Sequence, residues 1–289
     1  MVKRLLLVLG DRGEMLAGAI AALYMGIPCA HFHGGERSGT VDDQIRQAIT
    51  ALAHVHFPAT PKAKERLIAL GEIPQSIHML GAPGLDYIRR VAPDPAIRAR
   101  MGLGAEIPVF TVLFHPVVQD AHLAAVQAET LIGALKQLPA EVVVFAPNSD
   151  SGSAAISDVY HHARQALAQT KDHSAKFHWI THLQRDDYLS LLATSTALLG
   201  NSSSGIIEAA SLGTPTVNLG DRQNMRERNP SVFDAAITGP AIAQAIVDAM
   251  RYDGPFTNVY DQGGCADQIA TCIKQLSLDA AVLKKSLSF

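Results

Sequence analysis

Four residues of this chain have side chains suited to moving a proton near neutral pH. Asp11 follows the apolar run Leu5 to Leu9. His33 and Glu36 flank Gly34-Gly35 behind a second apolar run, and Asp42 opens a helical pattern beside Asp43. An imidazole and carboxylates at strand ends can act as general acids and bases. Each has a plainer reading. Asp11 could pair with Arg12 or cap a helix, Asp42 and Asp43 could match a helix dipole, and a lone strand-end histidine is more often structural. A second stretch, Gly200-Asn201-Ser202-Ser203-Ser204-Gly205-Ile206-Ile207-Glu208, has the chemistry of an anion site. It leads from an apolar run into a helical pattern, where free N–H groups meet a ligand. On this reading Gly200 and Gly205 let backbone approach a phosphate, the serines add hydroxyl donors, and Glu208 accepts from a ribose diol. An ordinary serine N-cap is the alternative, although three serines between two glycines exceed what a cap needs. Arg222 and Arg226, four apart on an expected helical turn, could bring two guanidiniums to one pyrophosphate, or form a solvated basic face. His115, before Pro116, could donate to phosphate or be a plain loop residue.

The elements that must position these residues alternate. Strands are expected at Leu5 to Leu9, Pro28 to Phe32, Val55 to Phe57 and Ile77 to Leu80, with helices at Gly13 to Tyr24, Asp42 to His54 and Pro61 to Leu70. After a turn-rich passage over residues 81–104, strands are expected at Val109 to Phe114, Val142 to Ala146, Phe177 to Thr181, Ala197 to Leu199 and Thr216 to Leu219. Helices at Leu123 to Leu138, Ala154 to Thr170, Asp187 to Ala193, Pro240 to Met250 and Ala266 to Leu276 complete the pattern, and Ser286 to Phe289 is expected to fray. Such alternation indicates an α/β fold with covered parallel sheets. It suggests an acid–base domain over 1–90, a second Rossmann-like domain over 105–270, and a helix and tail over 271–289. Ligands of such sheets sit at the carboxyl ends of strands. The candidate residues, with Asn148 after the Val142 strand and His182 after the Phe177 strand, all fall there. A two-domain cleft is the economical expectation.

With 289 residues, 48% of them hydrophobic, the chain can bury two cores. Charged residues make up 18% and the net charge is −3, which argues against a general nucleic-acid binder. No apolar run reaches the length of a membrane span, and Gly10-Asp11-Arg12-Gly13-Glu14 cuts the first one too short for a signal peptide. The three cysteines, Cys29, Cys265 and Cys272, lack metal-ligand spacing and suit a reduced cytoplasm, with Cys29 a buried thiol. No metal or cofactor is called for.

The motifs Gly10-Asp11-Arg12-Gly13-Glu14-Met15-Leu16, His31-Phe32-His33-Gly34-Gly35-Glu36, Asp42 to Thr50, Gly200 to Glu208 and Gly220-Asp221-Arg222-Gln223 resemble the UDP-N-acetylglucosamine 2-epimerases, most closely the hydrolysing branch. That resemblance implies a glycosyltransferase-B-like architecture. It also implies removal of the C2 proton, loss of UDP to give a 2-acetamidoglucal, and addition of water to release N-acetylmannosamine or a related sugar for sialic-acid-type synthesis. By position, Asp11, His33 and Asp42, with Glu36 nearby, match the acid–base places. Arg12, Asp43, Arg46, His115, Asn148, His182, Ser202, Ser203, Ser204, Gly205, Glu208, Arg222 and Arg226 match places expected to hold the nucleotide sugar. Three residues depart from the pattern. Gln47 replaces a usual His, Ala51 a usual Lys, and Met225 a usual Gly. Family members also begin with a βαβ portion that has no counterpart here. The Leu5 strand is then expected to expose an apolar edge, covered by a partner chain or a dimer unless the chain is an incomplete gene product, and a homo-oligomer (dimer or tetramer) is expected. The alternatives are a nucleotide-sugar binding module or half of a split enzyme without turnover, and the non-hydrolysing epimerase.

Overall fold

The computed structural model describes residues 4–170, 173–278 and 282–285, so the tail at Ser286 to Phe289 lies outside the described residues. The chain forms two compact units. The first holds residues up to 87, the short segment 225–227 and the chain from 259 onward, and the second holds 88–224 and 228–258.

In the first unit, β1 (Leu6–Leu9), β2 (Cys29–Phe32) and β3 (Val55–Phe57) form a parallel sheet in that order. Helices α1 (Gly13–Tyr24), α2 (Asp42–Leu52) and α3 (Pro61–Ala69) follow the strands in turn, and α4 (Gly84–Arg90) carries the unit boundary. Val8, Ala19, Ala22, Cys29, Ile49 and Ala53 pack α1 and α2 onto one face of the sheet. Burial pushes the Cys29 thiol up to about 11, which keeps it protonated. The other face is covered by a helix that the sequence reading divided between the second domain and a separate tail. Cys265 and Ile269 of this helix pack on Ala30, Phe32, Val55 and Phe57. The fourth expected strand, Ile77 to Leu80, is reduced to a single bridge between His56 and Ile77 before Gly81 turns the chain at φ +90°. β1 is an edge strand, and its Leu7 and Leu9 are half exposed.

The second unit begins with α5 (Ile97–Arg100) and β4 (Val109–Leu113), followed by α6 (Ala124–Leu135), β5 (Glu141–Phe145) and α7 (Ser153–Gln169). Next come β6 (Lys176–Ile180), α8 (Arg185–Thr194), β7 (Ala197–Gly200) and the five-residue α9 (Ser203–Ile207). The unit ends with β8 (Thr216–Leu219), β9 (Val232–Ala235) and α10 (Gly239–Met250), and the helix that returns to the first unit is α11 (Cys265–Gln275). All sheet pairings in this unit are parallel, in the order β6-β5-β4-β7-β8-β9. β5 is buried throughout, as a parallel strand covered on both faces should be. Phe110, Val112, Val142 and Val144 join one core, and Val109, Val143 and Phe145 the other. The short edge strand β9 went unseen in the sequence, where Val232-Phe233-Asp234-Ala235 shows no clean alternation. Among the described residues no helix is long and apolar enough to cross a membrane.

Candidate active site

In the first unit, the carboxyl ends of β1 and β2 and the start of α2 are tied together by buried polar residues. His31 is fully buried, and burial lowers its pKa to about 4, so the ring is neutral. Its Nε2–H donates to the Gly10 carbonyl (2.8 Å), which leaves Nδ1 to accept from the Thr50 hydroxyl (3.1 Å). This pins the turn that presents Asp11. Arg46, 1% exposed, donates to Asp11, to Asp43 (2.5 Å) and to the Glu36 carbonyl (2.9 Å). Asp43 closes the preceding loop by accepting from the Ser38 (2.7 Å) and Gly39 (2.9 Å) N–H groups. Burial works to raise its pKa, but these donors and Arg46 outweigh it, and the shift is downward.

His33 is held in the left-handed region at φ +62°, a conformation that costs free energy for a residue with a Cβ. Its Nδ1 lies 2.5 Å from Glu36 Oε1, and Glu36 Oε2 accepts from Arg226. Burial would raise the Glu36 pKa, yet Arg226 and His33 hold it down at about 2. An ionised carboxylate can only accept, so Nδ1 carries the proton and Nε2 is the ring atom left for chemistry. Arg226 runs the same balance in reverse, with burial opposed by Glu36 and the net shift upward. Asp42 sits partly buried on the first turn of α2, and Arg12 is exposed, with Nε 3.7 Å from Glu14.

The second unit has its topological switch point between β4 and β7, from which strand order runs outward both ways. Doubly wound sheets bind nucleotides at such a point. Asn201, following β7, bridges the two strand ends. Its Oδ1 accepts from His115 N–H (2.8 Å) and its Nδ2 donates to the His115 carbonyl (2.7 Å). The Asn201 carbonyl accepts from Arg222 (3.0 Å) and Gln223 (3.1 Å). His115 is pushed down to about 4, by burial first and Arg222 second. Its Nδ1 accepts from Asn148 N–H (3.2 Å), so the neutral ring offers Nε2–H as a donor. Asn148 also holds Asp150, and His182 is exposed beyond β6.

The serine stretch also bonds within the protein. Ser202 caps α9 by accepting from Ser204 N–H (3.3 Å), and Ser203 is partly exposed beside it. The Ser204 hydroxyl is already committed, receiving from Tyr188 (2.5 Å) and donating to Glu208 (2.6 Å). Arg185 pairs with Glu208 as well. The two glycines answer to the protein's own packing. A Cβ on Gly200 would lie 2.0 Å from the Leu113 carbonyl oxygen, and one on Gly205 would lie 2.5 Å from Thr216 Cγ2. Nor do Arg222 and Arg226 share a helical turn. The segment is a set of turns, and Arg226 is assigned to the first unit while Arg222 stays in the second.

A family model described as UDP-N-acetylglucosamine 2-epimerase matches residues 3–274. The chain belongs to this family. It is 39% identical over 282 residues to UDP-N,N'-diacetylbacillosamine 2-epimerase (hydrolyzing) of Legionella pneumophila, a match covering 96% of this chain and 73% of that protein. It is 32% identical over 239 residues to GDP/UDP-N,N'-diacetylbacillosamine 2-epimerase (hydrolyzing) of Campylobacter jejuni, covering 81% of this chain and 60% of that one. The chain therefore spans about three quarters of one relative and under two thirds of the other. In fold it is similar to the Methanocaldococcus jannaschii UDP-GlcNAc 2-epimerase in complex with UDP-GlcNAc and UDP. The TM-score is 0.77 at 16% identity, with 93% of this chain and 75% of that chain covered.

The glycosyltransferase-B-like architecture of the epimerase family is thus the architecture of both sheets. Sequence reasoning gave no role to two residues that hold others in place, Asn201 and Tyr188, and left His31 as a strand residue that could be buried. The signal for His31 and Asn201 was a polar side chain inside or just after an apolar strand, whereas Tyr188, on α8, carried none.

Proposed function

We propose that this epimerase-family chain is a hydrolysing 2-epimerase of UDP-linked 2-acetamido sugars. In this reading the second unit holds UDP at its switch point. The Nε2–H of His115, the Arg222 guanidinium, the Ser202 and Ser203 hydroxyls and free backbone N–H groups meet charge that develops on the departing diphosphate. The first unit supplies the proton transfers. One of His33, Asp11 and Asp42 takes the C2 proton, and the anti elimination gives a 2-acetamidoglucal. A second group activates water to add at C1 while a proton is delivered to C2 on the opposite face, and the 2-epimeric sugar leaves free. The product is N-acetylmannosamine, or the diacetylated counterpart that the two hydrolysing relatives' names suggest, for sialic-acid-type synthesis in the cytoplasm. Glu36 and Arg226 serve as positioning residues for His33.

The observation that carries the reading is the Arg226–Glu36–His33 series, in which a buried ionised carboxylate orients an imidazole on a strained loop. Such an arrangement sets one tautomer and leaves one nitrogen for proton transfer. The test is to incubate the pure protein separately with UDP-N-acetylglucosamine and UDP-N,N'-diacetylbacillosamine and resolve the products. Equal amounts of UDP and free 2-epimeric sugar are expected from at least one of them. A UDP-linked epimer would indicate the non-hydrolysing reaction. Binding of UDP without any release would indicate a binding module.

A further inference from the structure

A 260 Å³ cavity in the first unit lies behind the Gly34-Gly35-Glu36 loop, between α2 and α3, and no step of the proposed reaction uses it. Its charge is lopsided. Arg37 and Arg66 both line it, and among the described residues neither has a carboxylate partner. Glu36 is the acid in the wall, and both of its oxygens are taken, one by His33 and one by Arg226. Arg46 lines the cavity too, and its Nε–H finds no acceptor among the described residues. Gln47 adds an amide, Thr50, whose hydroxyl proton goes to His31, adds an acceptor oxygen, and Ala69 adds a small apolar surface. Gln47 stands where the family resemblance leads one to expect a histidine, so this wall carries no group that titrates near neutrality.

We propose that this cavity binds an anionic monosaccharide, a sugar bearing one phosphoryl or carboxylate group. Two guanidiniums without acids match such an anion by forked hydrogen bonds. The amide and the acceptor oxygen suit a polyol body. The volume falls below the roughly 300–1,000 Å³ of typical drug-sized ligand sites, which suits a single sugar ring better than a nucleotide sugar. The site also has a mechanical link to the proton-transfer loop. Arg66 Nη1 donates to the Gly35 carbonyl (3.2 Å), and Gly35 is wedged so tightly that a Cβ there would lie 2.2 Å from the Ala63 carbonyl oxygen. A ligand that draws Arg66 away releases this carbonyl one residue before Glu36, so occupancy weakens the hold on His33. That regulatory consequence rests on the proposed function, whereas the binding does not.

The experiment is calorimetric titration of the full chain with a hexose 6-phosphate, a hexuronate and inorganic phosphate, alongside UDP. Saturable binding is expected for the hexose 6-phosphate or the hexuronate, and whichever binds identifies the anion. Inorganic phosphate should bind at least about tenfold more weakly. Arg66→Gln should weaken sugar binding about tenfold or more. Ala69→Glu, a change at an exposed position, should do the same by placing an acid beside the cations, with UDP binding unaltered. Absence of saturable binding by both sugars overturns the proposal. So does equal affinity for inorganic phosphate, or sugar binding that neither variant changes. UDP binding and product release are separate readouts, so the proposed function can fail while this site stands, and the reverse.

Discussion

Arg46 donates to Asp11, to Asp43 and to the carbonyl of Glu36 from a position that water barely reaches. A guanidinium spans three acceptors in a plane and an ammonium does not. Arg46→Lys should therefore leave a folded protein whose kcat falls by about tenfold to a hundredfold while UDP affinity holds, read from initial rates and calorimetry. If Lys sustains full turnover, the forked geometry has no role. Glu36 gives a second test. Glu36→Gln removes the charge that Arg226 and His33 share, so the double variant with Arg226→Gln should cost less than the two single losses added together. Thermal unfolding of the four proteins measures that coupling, and strict additivity would deny it. At this scale the sequence was readable for residue type and position. The bonds that Arg46, Ser204 and Glu208 make to other side chains were not readable, because their partners are remote in sequence or set by the fold.

Gly205 shows how an element constrains a residue. The helix after β7 lies so close to β8 that a Cβ would meet Thr216 Cγ2 at 2.5 Å. Gly205→Ala should cost about 1–3 kcal/mol by overpacking, and adding Thr216→Ser, which deletes the methyl, should recover most of it. Failure of that rescue would mean the glycine serves something else. The buried histidines predict a pH dependence. His31 and His115 have folded values of about 4 against an ordinary value of 6.5, so their neutral forms favour folding. The unfolded chain then binds more protons between these values, and stability falls as pH drops from about 6.5 to about 4. Glu36, held at about 2 against 4.5, adds a further loss below about 4.5 by the same linkage. Thermal midpoints across this range should show the decline, with a shallower slope in His31→Gln. The strand–helix alternation was legible because parallel strands are short continuous apolar runs. Ile77 to Leu80 misled for the same reason, since an apolar run does not reveal whether it has a neighbour to pair with.

At the scale of the whole molecule, the chain enters the second unit after residue 87 and returns to the first at 225–227 and from 259 onward. Sequence reading placed the first crossing within its turn-rich passage and missed the return, because α11 is an ordinary amphipathic helix whose pattern does not say which sheet it covers. That Arg226 joins the first unit and meets Glu36 went unseen by the same limitation, as three residues between turns carry no mark of the unit they join. Leu7 and Leu9 on the edge strand are half exposed, and sedimentation at several concentrations tests whether another chain covers β1. The proposed reaction exchanges the C2 proton of a UDP-linked sugar with solvent through the set of His33, Asp11 and Asp42. Turnover of UDP-N-acetylglucosamine or its diacetylated relative in deuterated water, followed by proton NMR, tests it most directly. A free 2-epimeric sugar carrying solvent deuterium at C2 is expected, formed at least about a hundredfold more slowly by His33→Gln. Release of the sugar with its original C2 hydrogen retained would contradict it.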